Sequence, residues 1–181
     1  MPAVPTIIQK LPFFSKPQPV EVQGRRIAVV SDQIIVRVSI ARMGTPGLPD
    51  NALRFPAVLD PGFNHSFLIQ QDHLLRWACF DPTHFRTTGS LPVRGRNVPL
   101  LNSNIWLHRN QPGQRDMFSD QPPHCVELDR GIAVCPPEMG DYPRLPLLGL
   151  RAIRFGNLHV AIDGQNRHVT IRTGWKFWPF W

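Results

Sequence analysis

The chain is short of charge, cysteine and lysine and has no long apolar run, and each shortage removes a class of protein. Charged residues make up only 18% while proline reaches 20 residues. Few charges, many prolines and short apolar runs favour a β-rich, loop-rich fold over a helical bundle. The cysteines are Cys79, Cys125 and Cys135. Three thiols without paired spacing and without a C-x-x-C argue against a disulfide framework and against a zinc site. His124 beside Cys125 reads as two chance neighbours, so no metal and no other cofactor is expected. No apolar stretch approaches a membrane span, and the N-terminus lacks a basic–apolar–small leader pattern. A soluble cytoplasmic protein is the expectation, and the acceptor-like Asn64-His65-Ser66 is not expected to meet the glycosylation machinery.

Several catalytic patterns are absent too. There is no G-x-S-x-G, no G-x-x-x-x-G-K-[ST], no G-x-G-x-x-G, no H-E-x-x-H and no acidic calcium loop. His65-Ser66 is not a nucleophile with its base, because adjacent residues on a strand point to opposite faces. The net charge of +7 invites nucleic acid as a partner. Yet the lysines are only Lys10, Lys16 and Lys176, and the longest basic cluster is Arg25-Arg26. No basic run and no interleaved aromatics of the phosphate- and base-gripping kind occur, which disfavours that partner without removing it.

At 181 residues the chain fits one domain with tails. Residues 1–24 hold Pro2, Pro5, Pro12, Pro17 and Pro19, which exclude a central strand or a long helix. They read as an extended arm, either disordered or laid across the body with Ile7, Ile8, Leu11, Phe13 and Phe14 available for burial. The main domain is placed at 25–173. RIAVVSDQIIVRVSI (26–40) predicts a strand pair or one long bent strand, and MGTPGLPDN (43–51) a loop. Strands are predicted over 53–59 and 66–69, then a two-turn helix over 71–80 with Asp72 as N-cap. Residues 91–107 predict a hairpin turning around Gly95, and 108–124 an exposed loop. Another hairpin is expected over 126–134, turning at Asp129-Arg130-Gly131. A short strand through Gly149, a short helix capped by Gly156 and a hairpin over 157–173 follow. The tail, 174–181, carries Trp175, Phe177 and Trp178.

The stretch AVLDPGFNHSFLI (57–69) stands out. An apolar strand delivers Asp60 into Pro61-Gly62, and a second apolar run leaves. Asp-Pro-Gly is ordinary turn chemistry, but a carboxylate at the end of a buried strand is also a charge held in place, since an unpaired buried charge is costly. Downstream, Leu147-Leu148-Gly149 forms a second signpost 85–90 residues later.

These two signposts, in this order within a β-rich chain, resemble the retropepsin-like aspartic proteases, single-lobe relatives of pepsin. In that family an apolar pair leads into Asp-Thr/Ser-Gly, and a later apolar-apolar-Gly strand crosses beside it. The resemblance covers about residues 25–173. It implies a closed β-barrel with one or two short helices, acting as a homodimer on a peptide or protein substrate. Asp60 would supply half of a water-activating dyad, and Asp60 of a second copy the other half. Gly62 would give its amide to the carboxylate, Asn64 would hold the substrate main chain, Gly149 would line the site, and the 91–107 hairpin would be the flap. The aromatic tail has two main readings, packing on the partner or on its own domain; membrane-surface attachment comes last, for want of a basic amphipathic helix. Pro61 departs from the family pattern. It has neither the hydroxyl nor the N–H that the family's Thr or Ser exchanges with the partner chain, so an inactive domain serving peptide binding or assembly is the alternative.

Overall fold

The computed structural model describes residues 5–174. Both the Trp-rich tail reading and Pro2 therefore lie outside the described residues. The chain is mainly β, 46% strand against 11% helix. In order it forms β1 (Thr6–Pro12), β2 (Gln18–Val22), β3 (Arg25–Val29), β4 (Ile34–Arg42), β5 (Phe55–Asp60), β6 (Phe67–Gln70), α1 (Gln71–Trp77), β7 (Thr87–Val93), β8 (Arg96–Leu101), β9 (Ser103–Leu107), β10 (His124–Val126), β11 (Ile132–Cys135), β12 (Leu147–Gly149), α2 (Leu150–Phe155), β13 (Leu158–Asp163) and β14 (His168–Thr173). Nine strands share one sheet in the order β10-β9-β4-β5-β12-β6-β11-β8-β7. The hairpin β13–β14 takes β1 as a third strand, and β2–β3 stands as a separate pair. The expected closed barrel is not found among the described residues: the large sheet ends at β10 and β7.

The centre of the large sheet is where the sequence is most β-branched. Ile34, Ile35, Val36, Val38 and Ile40 of β4 are all at most 6% exposed, as a strand covered on both faces requires. Beside it, β5 is buried from Phe55 through Leu59 despite Pro56. A proline inside a central strand normally loses a ladder bond. Here the amide of Val58 donates to Pro146 O at 2.8 Å on the β12 side. Pro56 has the same parity, but β12 pairs only with Val58 to Asp60, so no acceptor waits for the hydrogen that Pro56 lacks.

Of the local readings, one left open is decided and three change. The Pro-rich arm is woven into the body: β1 pairs with β14 as an edge strand, and Ile7, Ile8, Leu11 and Phe14 are buried. Proline excluded only a central place. The expected 126–134 hairpin does not form, because β10 pairs with β9 while β11 pairs with β6 and β8. Gly131, at φ +77°, passes so close to Leu101 O that a Cβ would sit 1.9 Å from it, a crossing between two parts of the sheet and not a hairpin turn. The N-cap of α1 is Gln70, without a side-chain cap; Asp72 lies in the first turn and pairs with Arg76 at 2.7 Å. The 108–124 segment is also anchored, since Asn110 is buried and exchanges hydrogen bonds with Gln9 of β1, its Oδ1 accepting from the Gln9 amide at 2.8 Å. The 157–173 hairpin forms as read, and Gly156 caps α2.

Candidate active site

The site is built where β12 inserts between β5 and β6. It runs parallel to β5, with Leu147 opposite Val58, Leu148 opposite Leu59 and Gly149 opposite Asp60, and antiparallel to β6. Two strands that are consecutive in sequence are therefore separated by a third. Residues 61–66 must cross about 10 Å, twice the interstrand spacing, and Asp60 stands where that crossing begins.

The crossing opens as a β-turn. The amide of Phe63 donates to Asp60 O at 3.0 Å, with Pro61 supplying the fixed φ of the first central position. Within it the Gly62 amide donates to Asp60 Oδ1 at 2.9 Å, the one hydrogen bond to this carboxylate among the described residues. A Cβ at Gly62 would lie 3.2 Å from that same oxygen, so a side chain there would crowd the acceptor. Ordinary turn chemistry and a held carboxylate are thus the same object: Asp60 is half-buried, and among the described residues its second oxygen has no hydrogen-bond partner. Asn64 is exposed on the same crossing, and Phe63 and His65 pack edge to face at 5.3 Å.

Gly149 takes a different part from the one expected. A Cβ on it would meet His65 O at 2.1 Å and Phe63 O at 2.4 Å. Its own amide donates to Ser66 O at 2.9 Å, and that of Leu150 to Phe63 O at 2.8 Å. The crossing lies directly on the entrance of α2, so Gly149 seats the turn and is covered by it.

A neighbouring network was not legible in the sequence. Ser66 Oγ donates to Asp129 Oδ1 at 3.1 Å, and Arg151 donates from both Nε (2.8 Å) and Nη2 to Asp129 Oδ2. The Arg151 hydrogen bonds hold the Asp129 carboxyl below its ordinary range against the cost of burial, with Ser66 and the charges of Arg151 and Arg130 adding to the effect. Read locally, Asp129 is only a turn residue; nothing near it in sequence names Ser66 or Arg151.

The hairpin expected as a flap is narrower than read. It is β7–β8 alone, turning at Arg94-Gly95 with φ +49° and +77°, as a two-residue hairpin turn requires. β9 pairs instead with β4 and β10, toward the other end of the same sheet. Leu91, Val93, Val98 and Leu100 of the hairpin are buried against Leu68, Ala133 and Cys135, with Phe63 packed on the same cluster. Arg94 lies over the Tyr142 ring at 3.6 Å.

One other chemistry-bearing pair is closed to substrate. Ser39 Oγ donates to Leu53 O at 2.9 Å and lies 2.8 Å from His108 Nε2, but Ser39 is 0% exposed. Among the described residues no group of three or more His, Cys, Asp or Glu side chains is placed to hold a metal ion, and no helix is long and apolar enough to cross a membrane. The concave surfaces beside Arg109 (about 570 Å³) and beside Phe155 (about 400 Å³) do not include Asp60. No family model, curated protein or solved structure matches the chain.

Proposed function

We propose that the chain is one half of an aspartic-type endopeptidase that works as a homodimer. The observation that carries the reading is the insertion of β12 beside β5, which sets Gly149 opposite Asp60 at the mouth of a turn whose Gly62 amide holds the carboxylate. This is the relation between the Asp-x-Gly strand and the apolar-apolar-Gly strand on which the retropepsin-like resemblance rests. The same reading carries the closed barrel of that family, a peptide or protein substrate, and a cytoplasmic setting. A single chain supplies one such carboxylate, so the chemistry needs a second copy related by a two-fold axis. Two carboxyl groups about 3 Å apart cannot both ionise. The ionised Asp60 would take a proton from water as it attacks the scissile carbonyl, and the protonated one would donate to the carbonyl oxygen. Asn64, exposed on the crossing, would hold the substrate main chain, and the β7–β8 hairpin would cover it.

Pro61 favours a second reading. Having no N–H and no hydroxyl, it offers nothing but a carbonyl to a partner turn, and an inactive domain of the same fold that binds peptides or assembles accounts for that residue directly. The two readings part in one experiment. The oligomeric state is measured by analytical ultracentrifugation, and cleavage of an unstructured protein is followed across pH 3–7. The enzyme reading expects a dimer whose cleavage is abolished by Asp60→Asn and by a pepstatin-type inhibitor. A confirmed dimer that cuts nothing anywhere in that range sinks it in favour of the second, and a strict monomer sinks the dyad altogether.

A further inference from the structure

We propose that Asp129 is a positioning residue for the Asp60 turn, holding it from inside the chain through Arg151 and Ser66. The proposal rests on the reading of Asp60 as the reacting carboxylate. Its starting point is the mechanical weakness of the crossing. Residues 61–66 bridge the width of a strand, and among the described residues their carbonyls at Phe63 and Ser66 are held by the Leu150 and Gly149 amides at the entrance of α2. That helix has six residues and no side-chain N-cap, too short to be rigid by its own hydrogen bonds. Something else has to fix its entrance.

Asp129 does so by closing a ring. The Ser66 carbonyl accepts from the Gly149 amide; two residues on, Arg151 donates through two nitrogens to Asp129 Oδ2; and Asp129 Oδ1 accepts from the Ser66 hydroxyl. Three segments distant in sequence are tied end to end: the exit of the Asp60 crossing, the loop between β10 and β11, and the first turn of α2. The members are well placed for strength. Ser66 is 5% exposed, the Asp129 side chain 15% and that of Arg151 31%, so the Ser66 end of the ring is shielded and the ion pair partly screened by water. Removing the carboxylate would leave a buried hydroxyl without its acceptor and a guanidinium without its counter-charge. Arg151 and Arg130, with the Ser66 hydroxyl, are the groups that face Asp129, and all favour its ionised form, so the ring keeps its charge into the acid range in which a paired-carboxylate site works. Pro61 gives the ring its importance. A turn whose Pro61 presents no donor to a partner chain has to be held by its own.

The test is amide exchange by NMR on wild type, Asp129→Asn, Ser66→Ala and Arg151→Lys, with Asp163→Asn as a control ion pair in the distant hairpin. In the first three variants the amides of Gly62, Phe63, Gly149 and Leu150 should exchange about tenfold faster or more, while β13–β14 amides keep their rates. Asp129→Glu should recover part of the protection, and the control should change nothing in the crossing. For cleavage, kcat should fall about ten- to a hundredfold with KM nearly unchanged, the mark of a misplaced reacting group. Unchanged exchange at those four amides overturns the proposal. So does a uniform loss of protection through β13–β14, which would make the ring a general stabiliser. If wild type cuts nothing, the enzyme reading fails, while the exchange rates still decide whether Asp129 holds the turn.

Discussion

At the scale of single residues, the two glycines around Asp60 are required for different reasons and should respond differently to the same change. Gly149→Ala drives a methyl group into two backbone carbonyls, at 2.1 and 2.4 Å. Backbone cannot swing aside as a side-chain end can, so the crossing must lift off α2. The expected cost is about 3 kcal/mol or more, read as a lower denaturant midpoint with unchanged slope. Gly62→Ala meets only Asp60 Oδ1 at 3.2 Å, which rotation of the carboxylate relieves at a cost of about 1 kcal/mol. Equal losses for the two would contradict the seating of the turn on Gly149. Residues whose part is set by their neighbours in sequence were legible. Asp60, Pro61 and Gly62 are one turn, and the Gly62 amide goes to the carboxylate because the turn brings it there. Asp129 was not legible, because its partners lie 63 and 22 positions away, and no local pattern encodes a contact of that range.

At the scale of elements, the hairpin β7–β8 is the one whose behaviour the structure sharpens most. Its inner side chains share a small core with Phe63, and its tip is fastened by Arg94 on Tyr142. The fastening is of the kind worth about 0.5–2 kcal/mol, enough to bias a hairpin between lying down and lifting. Arg94→Gln keeps the backbone and removes the cation. Amides 91–98 should then exchange several-fold faster, with the β4 and β5 amides unaffected; unchanged hairpin rates would mean that the buried side chains alone hold it. Periodicity and turn residues identified this hairpin and the one at β13–β14, where partner strands are adjacent in sequence. They failed over 126–134, where two short apolar runs separated by Asp-Arg-Gly look like a hairpin yet pair with β9, β6 and β8. Strand pattern reports that a segment is pleated and half-buried; it does not name the strand beside it. The Pro-rich arm shows the converse, since Pro12 falls at the end of an edge strand, a place proline does not exclude.

At the scale of the whole molecule, the mainly β class follows from composition, but how the sheets are joined depends on contacts between distant segments. One such contact set bears on the pH at which the chain can work. His73 is buried, with Nδ1 unpartnered and its ring stacked on Trp77 at 3.6 Å. Burial pushes its pKa down to about 4, opposed by Asp72 and Asp141 and assisted by Arg76. Burial, with Arg54 nearby, lowers His108 to about 4 as well. Both are neutral in the folded chain at pH values where the unfolded chain, titrating near 6.5, already binds protons. Stability is therefore full above about pH 6.5, falls as the pH drops toward 4, and gains no further penalty from these groups below that. A loss of about 1–2 kcal/mol from each is expected. Urea unfolding at pH 7, 5.5 and 4 should show the decline, and His108→Gln should reduce its slope by about half. The Asp129 carboxyl, depressed, stays ionised across the same window. Acid would thus loosen the sheet that carries Asp60 while leaving the ring behind the turn intact. Under the proposed endopeptidase reading, cleavage should accordingly peak at higher pH in wild type than in His73→Gln/His108→Gln, and an identical optimum in both would show that the buried histidines do not limit it.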